Sequence, residues 1–130
     1  MLKIATLNVC GIADKQKRNF LFKKILKSDI DIMALQEVHC TSSRVKLWEQ
    51  EWPGKCLWNF GGPNDAGVAI LFNPKLKTEL SDKDGDFNGR ALAITIESLG
   101  LKFRLINIYA HNTENRFECE NFFEELSSMH

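Results

Sequence analysis

The sequence predicts an α/β domain, and three observations carry that prediction. An apolar stretch, a stretch with helical period and a second apolar stretch succeed one another within the first 36 residues. From Cys56 onwards the apolar period changes to two, with turn residues between short runs. The composition, 44% hydrophobic and 26% charged, is that of an ordinary globular protein, and 130 residues suit one domain, 1–130.

Leu2 to Leu7 alternates and reads as a strand that stops at Asn8, and Gly11 marks the turn after it. Lys15 to Lys27 sets Phe20, Leu21, Phe22, Ile25 and Leu26 among lysines at helical spacing. Ile32-Met33-Ala34-Leu35 is the wholly apolar run of a buried strand and ends on Gln36-Glu37. Strand, helix and strand at this spacing form a βαβ crossover, which makes the two strands parallel and brings their carboxyl ends to one edge. Thr41-Ser42-Ser43 caps a short helix, Arg44 to Glu51, that Pro53-Gly54 stops. The predicted strands that follow are 56–60, 67–72, 78–80, 90–96 and 102–109, and Asn115 to Met129 closes the chain as an amphipathic helix.

Seventeen basic and seventeen acidic residues cancel. A balanced chain binds nucleic acid weakly unless its charge is clustered, and the one candidate cluster is the helix bearing Lys15, Lys17, Arg18, Lys23, Lys24 and Lys27. Its plain reading is a solvated basic face. The cysteines (10, 40, 56 and 119) form no CxxC pair, which argues against zinc and against a disulfide framework and for buried thiols in a reducing compartment. No apolar run is long enough for a membrane span and the N-terminus has no secretory pattern, so the expected location is intracellular, nuclear or cytoplasmic.

Three apolar strands end in hydrogen-bonding groups: Asn8, Glu37, and Tyr109 with Asn112. In open α/β sheets ligands gather outside the carboxyl ends of strands. One carboxylate with amides and a phenol suits Mg²⁺, which prefers oxygen ligands and keeps waters and substrate phosphate oxygens. Singly, each residue has a plainer reading: a solvated strand-end carboxylate, a turn asparagine, a half-buried strand aromatic.

Together, LNVCGI, ALQEVHC, GVAILF, GRALAITIE and LINIYAHN resemble the endonuclease/exonuclease/phosphatase superfamily, most closely the apurinic-type endonuclease domain of LINE-type (non-LTR) retrotransposons. The likeness runs from residue 2 to about residue 126, in the family's order. It implies a two-sheet α/β sandwich of which this chain is the first half: a βαβ start, then a mixed, mostly antiparallel sheet with flanking helices. It also implies a Mg²⁺-dependent DNA endonuclease, with Mn²⁺ as an alternative ion. Glu37 corresponds to the metal-ligating glutamate, Asn8 to the metal-site asparagine, Tyr109 to the phosphate-contacting tyrosine and Asn112 to its neighbouring asparagine. His111 stands where such retroelements have proline, and His39 is read as packing locally.

The Gly85-Asp86-Phe87-Asn88 stretch spells a motif of that superfamily, but the working copy follows the NIYAPN-like strand and this one precedes it. Asp86 and Asn88 are therefore read as surface-turn residues. The implied domain is about twice as long as this chain, so an uncovered sheet face, self-association through it and loss of activity in the isolated chain are expected. The alternatives are a non-catalytic binding or assembly module, or an enzyme of the same superfamily with another phosphodiester or phosphomonoester substrate.

Overall fold

The computed structural model describes residues 1–86 and 88–110. Its elements are β1 (Ile4–Asn8), α1 (Lys15–Lys27), β2 (Ile32–Gln36), α2 (Ser42–Glu51), β3 (Cys56–Asn59), β4 (Val68–Phe72), β5 (Glu79–Gly85), β6 (Ala91–Ser98) and β7 (Leu101–Ile108). The predicted helix 115–129, with Asn112, His111 and Cys119, lies outside the described residues.

The βαβ expectation holds. β1 and β2 pair in parallel from Ile4 opposite Ile32 to Asn8 opposite Gln36, so both carboxyl ends reach one edge. α1 begins at Asp14, whose carboxylate accepts from the Gln16 and Lys17 amides, and α2 begins at Thr41, whose hydroxyl accepts from Arg44. The first sheet runs β1-β2-β4-β3, with β4 antiparallel to both β2 and β3. β5, β6 and β7 form a second, antiparallel sheet. β5 is longer than the predicted 78–80 because its register shifts between Ser81 and Asp84, a bulge that lets the pairing continue.

This topology confines the expected uncovered face to one edge of the first sheet, at β1. The chain contributes strands to both layers, and the sheets pack face to face through Ile32, Val68, Ile70 and Phe72 against Leu92, Ile94 and Ile96. The other face of the first sheet lies under the helices, where Met33, Leu35, Ala69 and Leu71 meet Phe22, Ile25 and Trp48. That is why Val68–Phe72 is apolar at every position: alternate side chains serve different cores. Among the described residues, β2 and β4 are covered on both faces, whereas the edge strand β1 is exposed along most of its length. What stands open is one side of the sandwich, where the edge strands β1 and β7 leave an open groove of about 350 Å³ lined in part by Ile4, Thr6, Leu105 and Ile108.

The basic helix also changes character. Arg18 is buried at 5% exposure. Its Nε and Nη2 donate to the Glu51 carboxylate at 2.7 and 2.9 Å, and its Nη1 donates to the Ile12 and Ala13 carbonyls. Lys17 donates Nζ to the Val9 carbonyl at 2.7 Å. Arg18 thus ties α1 to α2 and to the loop after β1, and does not join a basic face. Arg18→Met is expected to lower the unfolding free energy by about 2 kcal/mol, because buried carbonyls lose their donor and Glu51 its partner. Arg18 also holds the Glu51 carboxyl below its ordinary value of 4.5. That stability is present above the ordinary value and is lost as the pH falls through the lowered one, so Arg18→Met should flatten this part of the acid-unfolding curve.

Candidate active site

The strand ends converge as the sequence suggests. Tyr109, the residue after β7, donates its phenolic hydrogen to Glu37 Oε1 at 2.5 Å across 72 residues of chain. Asn8 ends β1 beside them: its Oδ1 accepts from the Cys10 amide at 3.1 Å and from Cys10 Sγ at 3.3 Å. The Cys10 thiol in turn lies 3.6 Å from Glu37 Oε2. Glu37 and Tyr109 are half-buried, and Asn8 and Cys10 are exposed, so the group is open to solvent on one side.

Electrostatics separates the two ionisable partners. The Tyr109 hydroxyl, and then the Asn8 and Cys10 side chains, hold the Glu37 carboxyl below its ordinary range against the opposing effect of burial. The Tyr109 phenol is pushed up to about 12, chiefly by the carboxylate it serves. At neutral pH the pair is therefore a carboxylate and a protonated phenol. Such a carboxylate beside an amide oxygen is the donor chemistry a hard dication takes, with open coordination positions left for water and phosphate. The residues present fit Mg²⁺ or Mn²⁺ in donor type, Glu37 being the charged donor such an ion would take and Asn8 standing beside it.

The backbone around the group is held in sparsely populated conformations. Cys10, Glu37, His39 and Ala66 have φ of 50, 52, 56 and 51°, and Gly11 and Gly67 are also in the left-handed region. Non-glycine residues persist there only where their surroundings over-determine them. Here Gly11 N donates to Glu37 O, Val38 N to Gly67 O, His39 N to Ala66 O and Gly67 N to Gly89 O. The His39 ring packs on Gly11, where a Cβ would meet its Nδ1 at 2.5 Å, in keeping with a local packing role. Strain concentrated at the carboxylate and locked by four bonds marks the place as built.

Sequence reasoning missed Cys10 and misread Asp86. The sequence places Cys10 among buried thiols, as Cys40 is, yet it is exposed and touches both Asn8 and Glu37. The only signal was its position two residues after Asn8. Asp86 is 8% exposed, not a surface-turn residue, and its carboxylate accepts from Asn59 Nδ2, the Arg90 and Ala91 amides and Arg90 Nε. Asn88 does lie in an exposed turn.

The family model described as Endonuclease/Exonuclease/phosphatase family matches residues 5–125. The chain belongs to this family. Among curated proteins, a 149 kDa transposon TX1 protein from Xenopus laevis, itself described as uncharacterized, is 28% identical over 127 residues. That match covers 98% of this chain and 10% of the relative. Among solved structures, a functionally unknown conserved protein from Enterococcus faecalis V583 superposes with a TM-score of 0.63 at 18% identity. The superposition covers 98% of this chain and 62% of that one, and it speaks for the fold alone. As a member of the endonuclease/exonuclease/phosphatase family, the chain has a two-sheet α/β sandwich, and a transposon protein is among its relatives. Among the described residues no helix is long and apolar enough to cross a membrane.

Proposed function

We propose that the chain is part of a divalent-cation-dependent DNA endonuclease of the LINE-retrotransposon type, and that Asn8, Glu37 and Tyr109 are its metal and phosphate end. The observation that carries this reading is the Tyr109–Glu37 hydrogen bond beside Asn8, which unites the carboxyl ends of three strands. Glu37, with Asn8, would hold Mg²⁺ or Mn²⁺. A bound dication would offset charge on a phosphodiester's transition state and leaving oxygen. Tyr109 keeps its proton, so toward a phosphate oxygen it is a hydrogen-bond donor and not a base. Asn112 would join it at the phosphate.

The reading includes one negative expectation. The 130-residue chain spans 62% of the solved relative and 10% of the transposon protein, and activating water takes further groups acting together with these. Incubated with supercoiled plasmid and Mg²⁺, the chain alone should leave the plasmid supercoiled, like its Glu37→Ala variant and an EDTA blank. Nicking that requires both Glu37 and metal would overturn that expectation while keeping the endonuclease. A folded chain that binds neither Mg²⁺ nor Mn²⁺ would sink the reading itself.

An assembly role has one observation in its favour, the open side of the sandwich. Ile4, Leu7, Leu101 and Ile108 on β1 and β7 are all exposed, and among the described residues the outer edges of both strands carry no partner strand, which invites one. Sedimentation should then show self-association that Thr6→Pro on β1 reduces; a monomer at every concentration would remove this role.

A further inference from the structure

We propose that Asp86 is a positioning residue for the Tyr109–Glu37 pair, acting through the turn it clamps; the importance of that pair rests on the function proposed above. The side chain is buried, and its Oδ1 gathers three donors: the Arg90 amide at 2.7 Å, the Ala91 amide at 3.1 Å and Asn59 Nδ2 at 3.1 Å. Its Oδ2 accepts from Arg90 Nε at 3.3 Å. Asn59, at the end of β3, also donates to the Asp86 and Ala91 carbonyls at 2.8 Å each. The turn from Asp86 to Ala91 is thus held from within by a carboxylate and from outside by an amide.

That turn presents two successive carbonyls to the site. Gly89 O accepts from Gly67 N at 2.8 Å, and Gly67 O accepts from Val38 N at 2.9 Å, which fixes the strained segment carrying Glu37. Arg90 O accepts from Tyr109 N at 2.7 Å, which fixes the residue that carries the phenol. Both partners of the 2.5 Å bond are therefore registered against one turn. Gly89 sits at φ 70° with Phe60 O only 2.6 Å from where a Cβ would stand, so the turn passes against Phe60 where only glycine fits. Asp86 touches no reacting group; its effect reaches the site through backbone bonds. Placement within about half an ångström matters for such constellations, and buried supporting hydrogen bonds are what supply it.

Tyr109 is the one tyrosine of the chain, so ¹³Cζ-tyrosine labelling yields a single resonance for it. Its position in Glu37→Ala defines the phenol without its acceptor. In a folded Asp86→Ala chain the resonance should move more than half of the way from wild type to that reference. Asp86→Asn, which keeps an oxygen for the Arg90 and Ala91 amides, should stay near wild type. A folded Asp86→Ala chain with the wild-type resonance overturns the proposal, and so does Asp86→Asn shifting as far as the reference. If Asp86→Ala does not fold, Asn59→Ala takes its place: a resonance shifted part of the way supports the proposal and an unmoved one overturns it. Added Mn²⁺ separates the two readings, since broadening of the wild-type resonance reports metal at Glu37. Its absence would defeat the metal site and leave the positioning result standing.

Discussion

Replacing Asn107 by alanine is expected to lower the unfolding free energy by about 3 kcal/mol, read from urea unfolding followed by circular dichroism. Asn107 lies on β7 in the second sheet and is 3% exposed. Its Nδ2 donates to the Leu35 carbonyl at 2.9 Å and the Ala69 carbonyl at 2.8 Å, both in the first sheet. Its Oδ1 accepts from Gln36 Nε2 at 2.7 Å. One amide thus bridges the two layers. Truncation removes three hydrogen bonds across the layers, each worth about 0.5–1.5 kcal/mol net. Leucine, close in volume, should not restore the loss, because it remakes none of these bonds. A leucine variant as stable as wild type would show that volume, not hydrogen bonding, is what Asn107 supplies. The site should suffer too, since Gln36 precedes Glu37 and Asn107 lies two residues before Tyr109.

Glu37→Ala is expected to weaken Mn²⁺ binding by about 100-fold or more, measured by the electron paramagnetic resonance signal of free Mn²⁺. Removing the charged ligand should exceed the 10- to 100-fold effect typical of residues that only orient a ligand, in order of magnitude. Tyr109→Phe belongs to that orienting kind and should weaken binding by about tenfold. The pH dependence distinguishes the two. A carboxylate ligand must be deprotonated, so the proposed site should lose the ion only as the pH drops through the lowered Glu37 value. Because the Tyr109 hydroxyl is the largest cause of that lowering, Tyr109→Phe should move the midpoint up toward the ordinary 4.5. Equal Mn²⁺ affinity in wild type and Glu37→Ala would place any metal elsewhere.

Much of the fold and part of the site are legible in the residues themselves. The helix over Lys15–Lys27 falls where its apolar period lies, and Thr41 caps α2 as its sequence suggests. The crossover rule was enough to bring Asn8 and Glu37 to one edge, because a βαβ unit leaves its strands no other orientation. Those are local periods, caps and handedness, properties of neighbouring residues.

What the tertiary structure decided depends on partners far along the chain. Asp86 reads as a turn residue by composition, yet Asn59, 27 residues earlier, makes it a buried acceptor. Arg18 reads as one more cation on a basic face until Glu51, 33 residues on, claims it. Cys10 reads as a buried thiol until the left-handed turn after Asn8 swings it out toward Glu37. Asn107 looks like any strand asparagine, and only the stacking of two sheets supplies the carbonyls that it bridges. A polar side chain is placed by whichever donors and acceptors the fold brings to it, and burial without them is too costly to persist. Period and capping therefore settled where most of the described strands and helices run, β5 excepted, while the packing of one layer on the other settled what each polar residue does.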